Sequence, residues 1–399
     1  MVKKILIICA NFIYTFFKIL PVKNKVTMIS RQSNKKTLDF ELLEKKLKKD
    51  HPEIQICILC RKLEGGANAR LFNKIQYMFH CSRQMYHIAT SKVVLLDSYC
   101  ILISILKQRK GLKVIQMWHS MGTMKKFGYQ ILGLEEGTNE KLAKDMKMHK
   151  NYDYVFASSE VYAPYLAEGF GCSVEKIRIY SLPRVDLLND ENYKEEVYHK
   201  IKKTYPQISQ KKNIVYCPTF RKNEKEMKKE IEKMINRIDY KQYNLIIKLH
   251  PLSKITINND QVINDKIFSS FDMLFIADYI ISDYSCIIYE AAVLKIPLYF
   301  WAFDLEQYIK TRGLTIDYEK ELPGIVSKNI ENVIQEIEKN HYDKKKLEEF
   351  RKKYVRKIEH CTKDIVDFIV DIIYNKDRDK ILTVREGNKY EKNKKYAKE

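Results

Sequence analysis

The sequence predicts an α/β fold of two halves, each built on a parallel sheet, with a cleft between them. From residue 25 onward, short apolar runs alternate with amphipathic stretches, a pattern typical of parallel βαβ units. The alternation is interrupted by a charged connector at 189–212 and then resumes. At 399 residues the chain also exceeds what one hydrophobic core usually supports. These observations favour two domains, at 25–188 and 189–375.

The strands of the first half are predicted at six apolar runs: 26–30, 54–60, 93–97, 114–118, 154–157 and 177–180. Helical periodicity lies between them, as at 38–49 and 160–169. In the second half the corresponding runs are 213–217, 244–249, 273–276, 279–282 and 297–301. Few apolar residues follow Asn375, so we expect 376–399 to be a charged, disordered tail.

Residues 1–24 form a separate apolar segment. An uncharged run at 5–17 is flanked by lysines and ends before Pro21. It is shorter than the roughly 20 apolar residues that a spanning helix needs, and no small-residue cleavage site follows it. We therefore expect a short helix that associates with an anionic membrane surface. The alternative is that this segment supplies the first strand and helix of the core.

The formal charge of +21 favours anionic partners such as nucleic acid, a phospholipid surface or a phosphate-rich substrate. A lysine-rich composition with no such partner is the alternative. Because lysine far outnumbers arginine and no dense arginine–aromatic motif occurs, we do not expect nucleic acid. The nine cysteines lack framework spacing, and Cys57 and Cys60 lie inside a predicted strand. We expect reduced thiols in a cytosolic protein.

The first candidate site segment follows the strand at 114–118. His119 stands where the strand ends, and Lys125 and Lys126 follow shortly after it. In open α/β proteins, ligands bind at such strand ends. A histidine there can take a proton from a hydroxyl, and the lysines can hold an anion. Taken alone, however, a histidine at a strand end is more often structural.

Two strands of the second half end in a similar way. Thr219 and Arg221 follow the strand at 213–217, and the planar guanidinium of an arginine suits phosphate. His250 ends the next apolar run. Two histidines from different halves could face each other across the cleft, an arrangement suited to acid–base chemistry on a transferring group. A surface arginine and a strand-capping histidine are the alternatives for each segment alone.

The fourth segment, at 278–292, passes from an apolar strand into a run rich in Ile and Ala. A helix is expected to begin near Ser285, where free main-chain N–H groups and the helix dipole form a seat for phosphate. An ordinary capped helix is the alternative. The candidate substrate-binding residues of this segment are Ser282, Asp283, Ser285, Cys286 and Glu290.

Arg312, before a glycine, is a further candidate for phosphate contact. Asp304 and Glu306 are expected to cap a helix or to contact a ribose or polyol. Residues 1–375 contain no D-x-D cluster, and the sequence has no histidine-rich trio, so we expect neither a metal nor any other cofactor.

In this order and spacing, the four segments resemble the CDP-glycerol:poly(glycerophosphate) glycerophosphotransferase family, the teichoic-acid primases and polymerases of Gram-positive bacteria. The resemblance runs from about residue 25 to 370. The motifs that carry it are Gln-Met-Trp-His at 116–119 with Lys125, Pro-Thr-Phe-Arg at 218–221, His-Pro at 250–251 and Ser-Asp-Tyr-Ser at 282–285.

The resemblance implies a GT-B fold, in which two Rossmann-like domains face a central cleft. It also implies transfer of glycerol phosphate or ribitol phosphate from a CDP-activated donor, with release of CMP. His119 matches the base that deprotonates the acceptor hydroxyl, and His250 matches the histidine that stabilises the pyrophosphate and the departing CMP. Ser285 matches the phosphate seat, and Arg221 and Arg312 match cationic positions near the phosphates.

The implied acceptor is a lipid-linked molecule of the undecaprenyl type or a growing polyol phosphate polymer. The implied location is the cytoplasmic face of the cell membrane, with peripheral attachment. The chain departs from the family pattern at three places. Gly122 lies three residues after His119, where many members have glycine directly after the histidine. Cys286 stands where a second serine is usual, and 359–362 lacks the usual Asp-Gly-x-x-Ser run.

Two other functions compete with this interpretation. The first is a GT-B glycosyltransferase that uses a sugar nucleotide in surface polysaccharide synthesis. It is disfavoured because the chain has only 12 glycines and no glycine-rich loop in its first half. The second is a non-enzymatic, membrane-bound assembly protein, against which the presence of both His119 and His250 argues.

Overall fold

A computed structural model of the protein describes residues 2–62 and 70–375, and within this range it contains two six-stranded parallel sheets. The first sheet has the order β2-β1-β3-β4-β5-β6. Its strands are β1 (Lys23–Ser30), β2 (Gln55–Cys60), β3 (Ser91–Leu96), β4 (Lys113–Gln116), β5 (Tyr154–Ala157) and β6 (Ile177–Ile179). The second has the order β12-β11-β10-β7-β8-β9. Its strands are β7 (Lys212–Cys217), β8 (Tyr243–Ile247), β9 (Val262–Asn264), β10 (Tyr279–Ser282), β11 (Leu298–Trp301) and β12 (Val326–Ser327).

Helices cover the faces of both sheets. The helices that lie before or between the strands of the first sheet in the chain are α1 (Val2–Phe17), α2 (Leu38–Asp50), α3 (Leu71–Thr90), α4 (Ile101–Ile105), α5 (Glu140–Asp145) and α6 (Ala163–Phe170). Those that follow are α7 (Glu191–Thr204), α8 (Lys225–Arg237), α9 (Ser270–Met273), α10 (Ile287–Val293), α11 (Leu305–Thr311), α12 (Tyr318–Glu321), α13 (Ile330–Glu338), α14 (Lys344–Tyr354) and α15 (Cys361–Ile373). The predicted α/β fold with two parallel sheets is confirmed. The predicted tail at 376–399 lies outside the described residues.

The strands are continuous apolar runs because each sheet is buried on both faces. In β3, for example, Val93, Val94, Leu95 and Leu96 are all fully buried. Each sheet reverses its winding direction once, between β1 and β3 in the first sheet and between β7 and β10 in the second. Ligands of open α/β sheets bind at the carboxyl ends of strands beside such reversals.

The predicted strand at 273–276 is wrong. These residues end the short helix α9 and form a 3-10 turn, Leu274–Ile276. The helix begins because Ser269 and Asp272 satisfy each other's main-chain N–H groups in a capping box, with both hydrogen bonds at 3.0 Å. A short apolar run carries no periodicity that separates a strand from a buried helical turn.

The helix α15 returns to the first half of the molecule, although it falls within the predicted second domain. Phe368 on this helix packs against Tyr154 and Phe156, with ring centroids 5.0 and 5.8 Å apart. Lys92 on β3 donates a 2.7 Å hydrogen bond to the carbonyl of Ile373. The end of the described chain therefore joins the two halves.

The N-terminal helix α1 lies on the outside of the first half. Tyr14 is buried and donates to Gln108 at 3.1 Å, and the amide of Asn11 donates to the carbonyl of Ile105 at 3.1 Å. Much of the remaining apolar surface of the helix is exposed, as at Phe12 and Phe16. Among the described residues, no helix combines the length and the apolar character needed to cross a membrane.

Candidate functional site

His119 follows β4 at the carboxyl edge of the first sheet. Its Nδ1 lies 3.1 Å from the main-chain carbonyl oxygen of Asp97, which follows β3. Since a carbonyl only accepts hydrogen bonds, Nδ1 carries the proton and Nε2 keeps a free lone pair. Part of the His119 side chain is exposed to solvent, but the imidazole is largely surrounded by protein. This desolvation lowers its pKa to about 4. The hydrogen bond to Asp97 opposes this effect, and the charges of Arg184 and Lys125 add to it.

His250 lies at the carboxyl edge of the second sheet, shortly after β8. The main-chain N–H of Leu252 donates to its Nδ1 at 3.2 Å. The neutral ring therefore carries its proton on Nε2. Desolvation lowers the pKa of this imidazole, and the charges of Lys125 and Lys62 act in the same direction. At Nε2 the two histidines thus offer opposite functions, a lone pair on His119 and an N–H donor on His250.

Lys125 connects the two halves at the site. Its Nζ donates to the hydroxyl of Thr219 at 3.3 Å, across the boundary between the halves. Its charge lowers the pKa of both His119 and His250, so the ammonium lies within electrostatic reach of both rings. Desolvation lowers the pKa of Lys125 itself. The structure therefore brings four of the predicted residues, His119, Lys125, Thr219 and His250, to one cleft.

Asp283 organises the strand ends of the second sheet. Its Oδ1 accepts hydrogen bonds from the main-chain N–H groups of Thr219 at 2.8 Å and Tyr284 at 2.5 Å. Asp283 is 0% exposed, and Ser282 is equally buried, with its hydroxyl donating to the carbonyl of Cys217 at 2.9 Å. Both were predicted to bind substrate. Because neither side chain reaches the cleft, their role in this structure is to hold the main chain of the neighbouring strand ends in place.

Arg221, predicted to contact phosphate, points into the protein. Its guanidinium binds the carboxylate of Asp304 through two hydrogen bonds, of 2.8 and 3.0 Å. A third contact, an ion pair of 2.7 Å to Asp283 Oδ2, lacks hydrogen-bond geometry. The side chain is 9% exposed and lies over the rings of Tyr284 and Tyr308. In this structure Arg221 supports the strand ends and does not face the cleft.

The predicted phosphate seat begins later than the sequence indicates. The helix α10 starts at Ile287, with Cys286 as N-cap and no side-chain hydrogen bond capping it. The preceding residues form a turn around Asp283, which delays the first helical residue. The hydroxyl of Ser285 is partly exposed and accepts a long hydrogen bond, 3.5 Å, from the N–H of Ile287. Ser285 and Cys286 border the cleft, whereas Glu290 is buried.

Main-chain pairing joins the halves beside these residues. Residues 124–126 run antiparallel to 313–315, with hydrogen bonds of 2.9 Å from Thr315 to Met124 and of 3.1 Å from Lys126 to Gly313. The thiol of Cys286 adds a 3.4 Å contact to the carbonyl of Gly122. Because Lys125 lies in the middle of this pairing, its main chain is fixed relative to both sheets.

Arg312 borders the same junction. Its Nη1 lies 3.7 Å from the Glu136 carboxylate of the first half, and Lys222 approaches that carboxylate at 3.4 Å. The buried Nε of Arg312 has no hydrogen-bond partner. Arg312 therefore lies at the junction of the halves, where its guanidinium contacts Glu136 of the first half. Its contact with phosphate stays a prediction.

A second ion pair, which the sequence did not single out, supports the loop of His119. The Arg184 guanidinium and main-chain N–H both bind the buried Asp39 carboxylate, with hydrogen bonds of 3.0 Å from Nε to Oδ2 and 2.9 Å from N to Oδ1. Arg184 Nη2 lies 3.5 Å from the carbonyl oxygen of His119. Nearby, burial raises the pKa of Asp97 to about 6 and that of Glu290 to about 7. The Pro-Arg pair at 183–184 marks this position in the sequence, but nothing there links it to residue 39.

Within the described ranges, 2–62 and 70–375, no three or more His, Cys, Asp and Glu side chains cluster so that they could hold a metal ion. The expectation of a reaction without metal or cofactor stays a prediction. The described groups at the cleft are the ammonium of Lys125 and the imidazoles of His119 and His250, with Arg312 at the junction of the halves.

Comparison with known proteins gives this arrangement a family context. The model of the family described as CDP-Glycerol:Poly(glycerophosphate) glycerophosphotransferase matches residues 12–370. The teichoic acid ribitol-phosphate primase of Bacillus spizizenii is 32% identical over 348 residues, which are 84% of this chain and 88% of that protein. The teichoic acid glycerol-phosphate primase of Bacillus subtilis is 30% identical over 302 residues, 74% of this chain and 77% of that protein.

Among solved structures, a variant of the wall teichoic acid polymerase TagF is similar to this chain, with a TM-score of 0.72. The alignment covers 94% of this chain and 97% of that one, at 18% sequence identity. At this identity the likeness concerns the fold alone, and it agrees with two α/β halves of the GT-B type.

Proposed function

This chain belongs to the CDP-glycerol:poly(glycerophosphate) glycerophosphotransferase family, and we propose that its cleft transfers a polyol phosphate from a CDP-polyol to an acceptor hydroxyl held against His119. The resemblance predicted from the four motifs is thereby confirmed. The chain is a phosphotransferase of teichoic acid synthesis, with glycerol phosphate or ribitol phosphate as the transferred group and CMP as the leaving group.

The reaction needs a base for the acceptor and charge neutralisation for the donor. Nε2 of His119 takes the proton of the acceptor hydroxyl, whose oxygen then attacks the phosphorus that carries the polyol. A new P–O bond forms, and the P–O bond to the bridging oxygen of the diphosphate breaks. CMP leaves with the electron pair of that bond. The Nε2–H of His250 and the ammonium of Lys125 stabilise the negative charge that develops on the phosphate oxygens.

The single observation that carries this assignment is the opposite hydrogen bonding of the two imidazoles at Nδ1, from which their opposite protonation follows. The carbonyl of Asp97 accepts from Nδ1 of His119, and the N–H of Leu252 donates to Nδ1 of His250. Main-chain groups therefore prepare one ring to accept a proton and the other to donate a hydrogen bond. Since a main-chain group occupies Nδ1 of each ring, Nε2 is the nitrogen left for a substrate in both histidines.

Substrate choice tests the proposed function directly. The purified protein is incubated with a lipid-linked diphosphate acceptor and, in turn, with CDP-glycerol, CDP-ribitol and UDP-N-acetylglucosamine. We expect CMP release from a CDP-polyol, accompanied by a mass increase of the acceptor equal to one or more polyol phosphate units. We expect no UDP release. Release of UDP without CMP would instead favour the glycosyltransferase, and no release in any arm would favour the non-enzymatic assembly protein.

We also propose that the protein attaches peripherally to the cytoplasmic face of the cell membrane, through α1 and the outward face of α3. The two helices contact each other through Phe17 and Tyr86, whose ring centroids lie 5.9 Å apart. Both expose large apolar side chains that would meet the acyl boundary of a leaflet. On α1 and the residues after it these are Ile5, Leu6, Ile8, Phe12, Ile13, Phe16 and Ile19, and on α3 they are Leu71, Phe72, Ile75, Met78 and Phe79.

The double substitution Phe12→Glu and Phe16→Glu is expected to weaken binding to anionic phospholipid vesicles by at least about a hundredfold. Each phenylalanine contributes about 1.5–3 kcal/mol when it is buried in an apolar environment, and about 1.4 kcal/mol corresponds to a factor of ten. Cosedimentation with vesicles measures the effect. The matched control is Ile267→Glu, because Ile267 is 70% exposed but lies in the second half. Equal loss in the control, or none in the double variant, would contradict the assignment.

A further inference from the structure

A cavity of about 340 Å³ opens in the first half at the carboxyl ends of β1 and β2. Its lining includes Asn34, Arg61, Lys62, Gln76 and Tyr77. The Arg61 guanidinium donates to Gln76 at 2.5 Å, and the main-chain N–H of Lys62 donates to Asn34 at 2.9 Å. None of the described residues that line the cavity is acidic. The cavity therefore offers two cations and several hydrogen-bond donors to an anion.

The cavity adjoins the catalytic cleft. The charge of Lys62 lowers the pKa of His250, so this lysine lies within electrostatic reach of the donor-side histidine. On the other side, Cys60 lines the cavity and pairs with Ser30 on β1, and the neighbouring Ile29 pairs with Leu96 on β3. The next residue is Asp97, whose carbonyl accepts the hydrogen bond of His119. An anion in the cavity thus lies beside the cleft on the half that carries the base. It is separate from Thr219 and Ser285, which border the cleft from the other half.

The helix α3 forms one wall of the cavity and also part of the exposed apolar surface. Asn73, Gln76 and Tyr77, spaced three and four residues apart, face the cavity. Leu71 and Phe79, each 73% exposed, lie on the outward face of the same helix. An amphiphile could therefore place its anionic head in the cavity and its apolar tail against the exposed apolar side chains of the same helix.

We propose that this cavity binds the diphosphate of a lipid-linked acceptor, with the lipid chain along the outward face of α3 and the acceptor hydroxyl extending toward His119. The proposal rests on the proposed function and names the place of its acceptor. Arg61, which is half-buried and oriented by Gln76, contacts the diphosphate, and Lys62 adds its charge from the cavity rim. One face of α3 then contacts the diphosphate of the acceptor, and the opposite face contacts the lipid chain and the membrane.

Titration calorimetry with farnesyl diphosphate tests the site without any turnover. We expect Arg61→Gln to weaken binding to the full chain about tenfold, because the charge-assisted hydrogen bond from the guanidinium to the diphosphate is lost. Lys62→Gln is expected to weaken it in the same direction. Lys74→Gln is the matched control, since Lys74 lies exposed on α3 and does not line the cavity. It removes one positive charge, as Arg61→Gln and Lys62→Gln do, and is expected to change the Kd less than twofold.

Two further arms separate the lipid from free phosphate and the acceptor from the donor. Inorganic diphosphate is expected to bind more weakly than farnesyl diphosphate, and in turnover Arg61→Gln is expected to raise the KM of the lipid-linked acceptor about tenfold but not that of the CDP-polyol. An unchanged Kd in Arg61→Gln, equal affinity for inorganic diphosphate, or a raised KM for the CDP-polyol would overturn the proposal. If no CDP-polyol is turned over while farnesyl diphosphate still binds through Arg61, the proposed function fails and the anion site stands.

Discussion

His119→Asn is expected to lower kcat for polyol-phosphate transfer by about 10²- to 10⁴-fold, the range that a positioned general base contributes. Asparagine is close to histidine in size but has no nitrogen that accepts a proton at neutral pH. The side-chain amide of asparagine can still donate to the carbonyl of Asp97, and the neighbouring Lys125 and the fold itself are left in place. Single-turnover release of CMP measures the chemical step apart from binding of the CDP-polyol.

The same change at the other histidine is the control. His250→Asn keeps a side-chain N–H donor, so its loss should stay below the roughly 10²- to 10³-fold that removal of such a donor costs. The pH profile supplies a second readout. Because the pKa of His119 is lowered to about 4, its basic form is present above that value and is lost below it. The acid limb of kcat/KM should therefore fall near pH 4. Equal losses in both variants, or a limb near 6.5, would contradict the assignment of the base.

The strand pattern was readable from the sequence because buried parallel strands are continuous apolar runs. The strands Tyr154–Ala157 and Tyr279–Ser282 have the predicted ends. The edge strands Val262–Asn264 and Val326–Ser327 were missed because they have three and two residues and are stabilised only by their neighbours. The return of α15 to the first sheet depends on tertiary packing, which no local pattern records.

At the site, the rule that parallel strands end at one edge was enough to bring His119, Lys125 and Thr219 together. It could not tell which way a side chain turns once the strand has ended. Arg221 turns inward because Asp304, 83 residues later, lies beneath it. The pair of Arg184 and Asp39 joins positions 145 residues apart. Such long-range pairings are selected by burial, since a buried charge needs a partner, and the sequence gives no register for them.

Arg221→Met is expected to lower the free energy of unfolding by about 3–5 kcal/mol, because it leaves buried carboxylates without their cation. Asp283 is 0% exposed, and Asp304 accepts two hydrogen bonds from the guanidinium of Arg221. Methionine replaces the aliphatic stem but supplies no positive charge. Urea unfolding followed by the fluorescence of Trp301, which is buried in the second sheet, measures the loss.

Arg237→Met is the matched control, because Arg237 also binds two carboxylates of the second half. Its partners Glu331 and Glu338 lie on the surface, and its own side chain is 26% exposed. Water already screens that cluster, so its removal should cost no more than about 1 kcal/mol. The contrast separates two roles for Arg221. If Arg221→Met unfolds at the same urea concentration as the unsubstituted protein but raises the KM of the CDP-polyol, then the guanidinium leaves Asp304 during catalysis and binds phosphate, as the sequence predicted. If the variant loses stability and Arg237→Met does not, the arginine acts by holding Asp283 and, through it, Thr219 in place beneath the cleft.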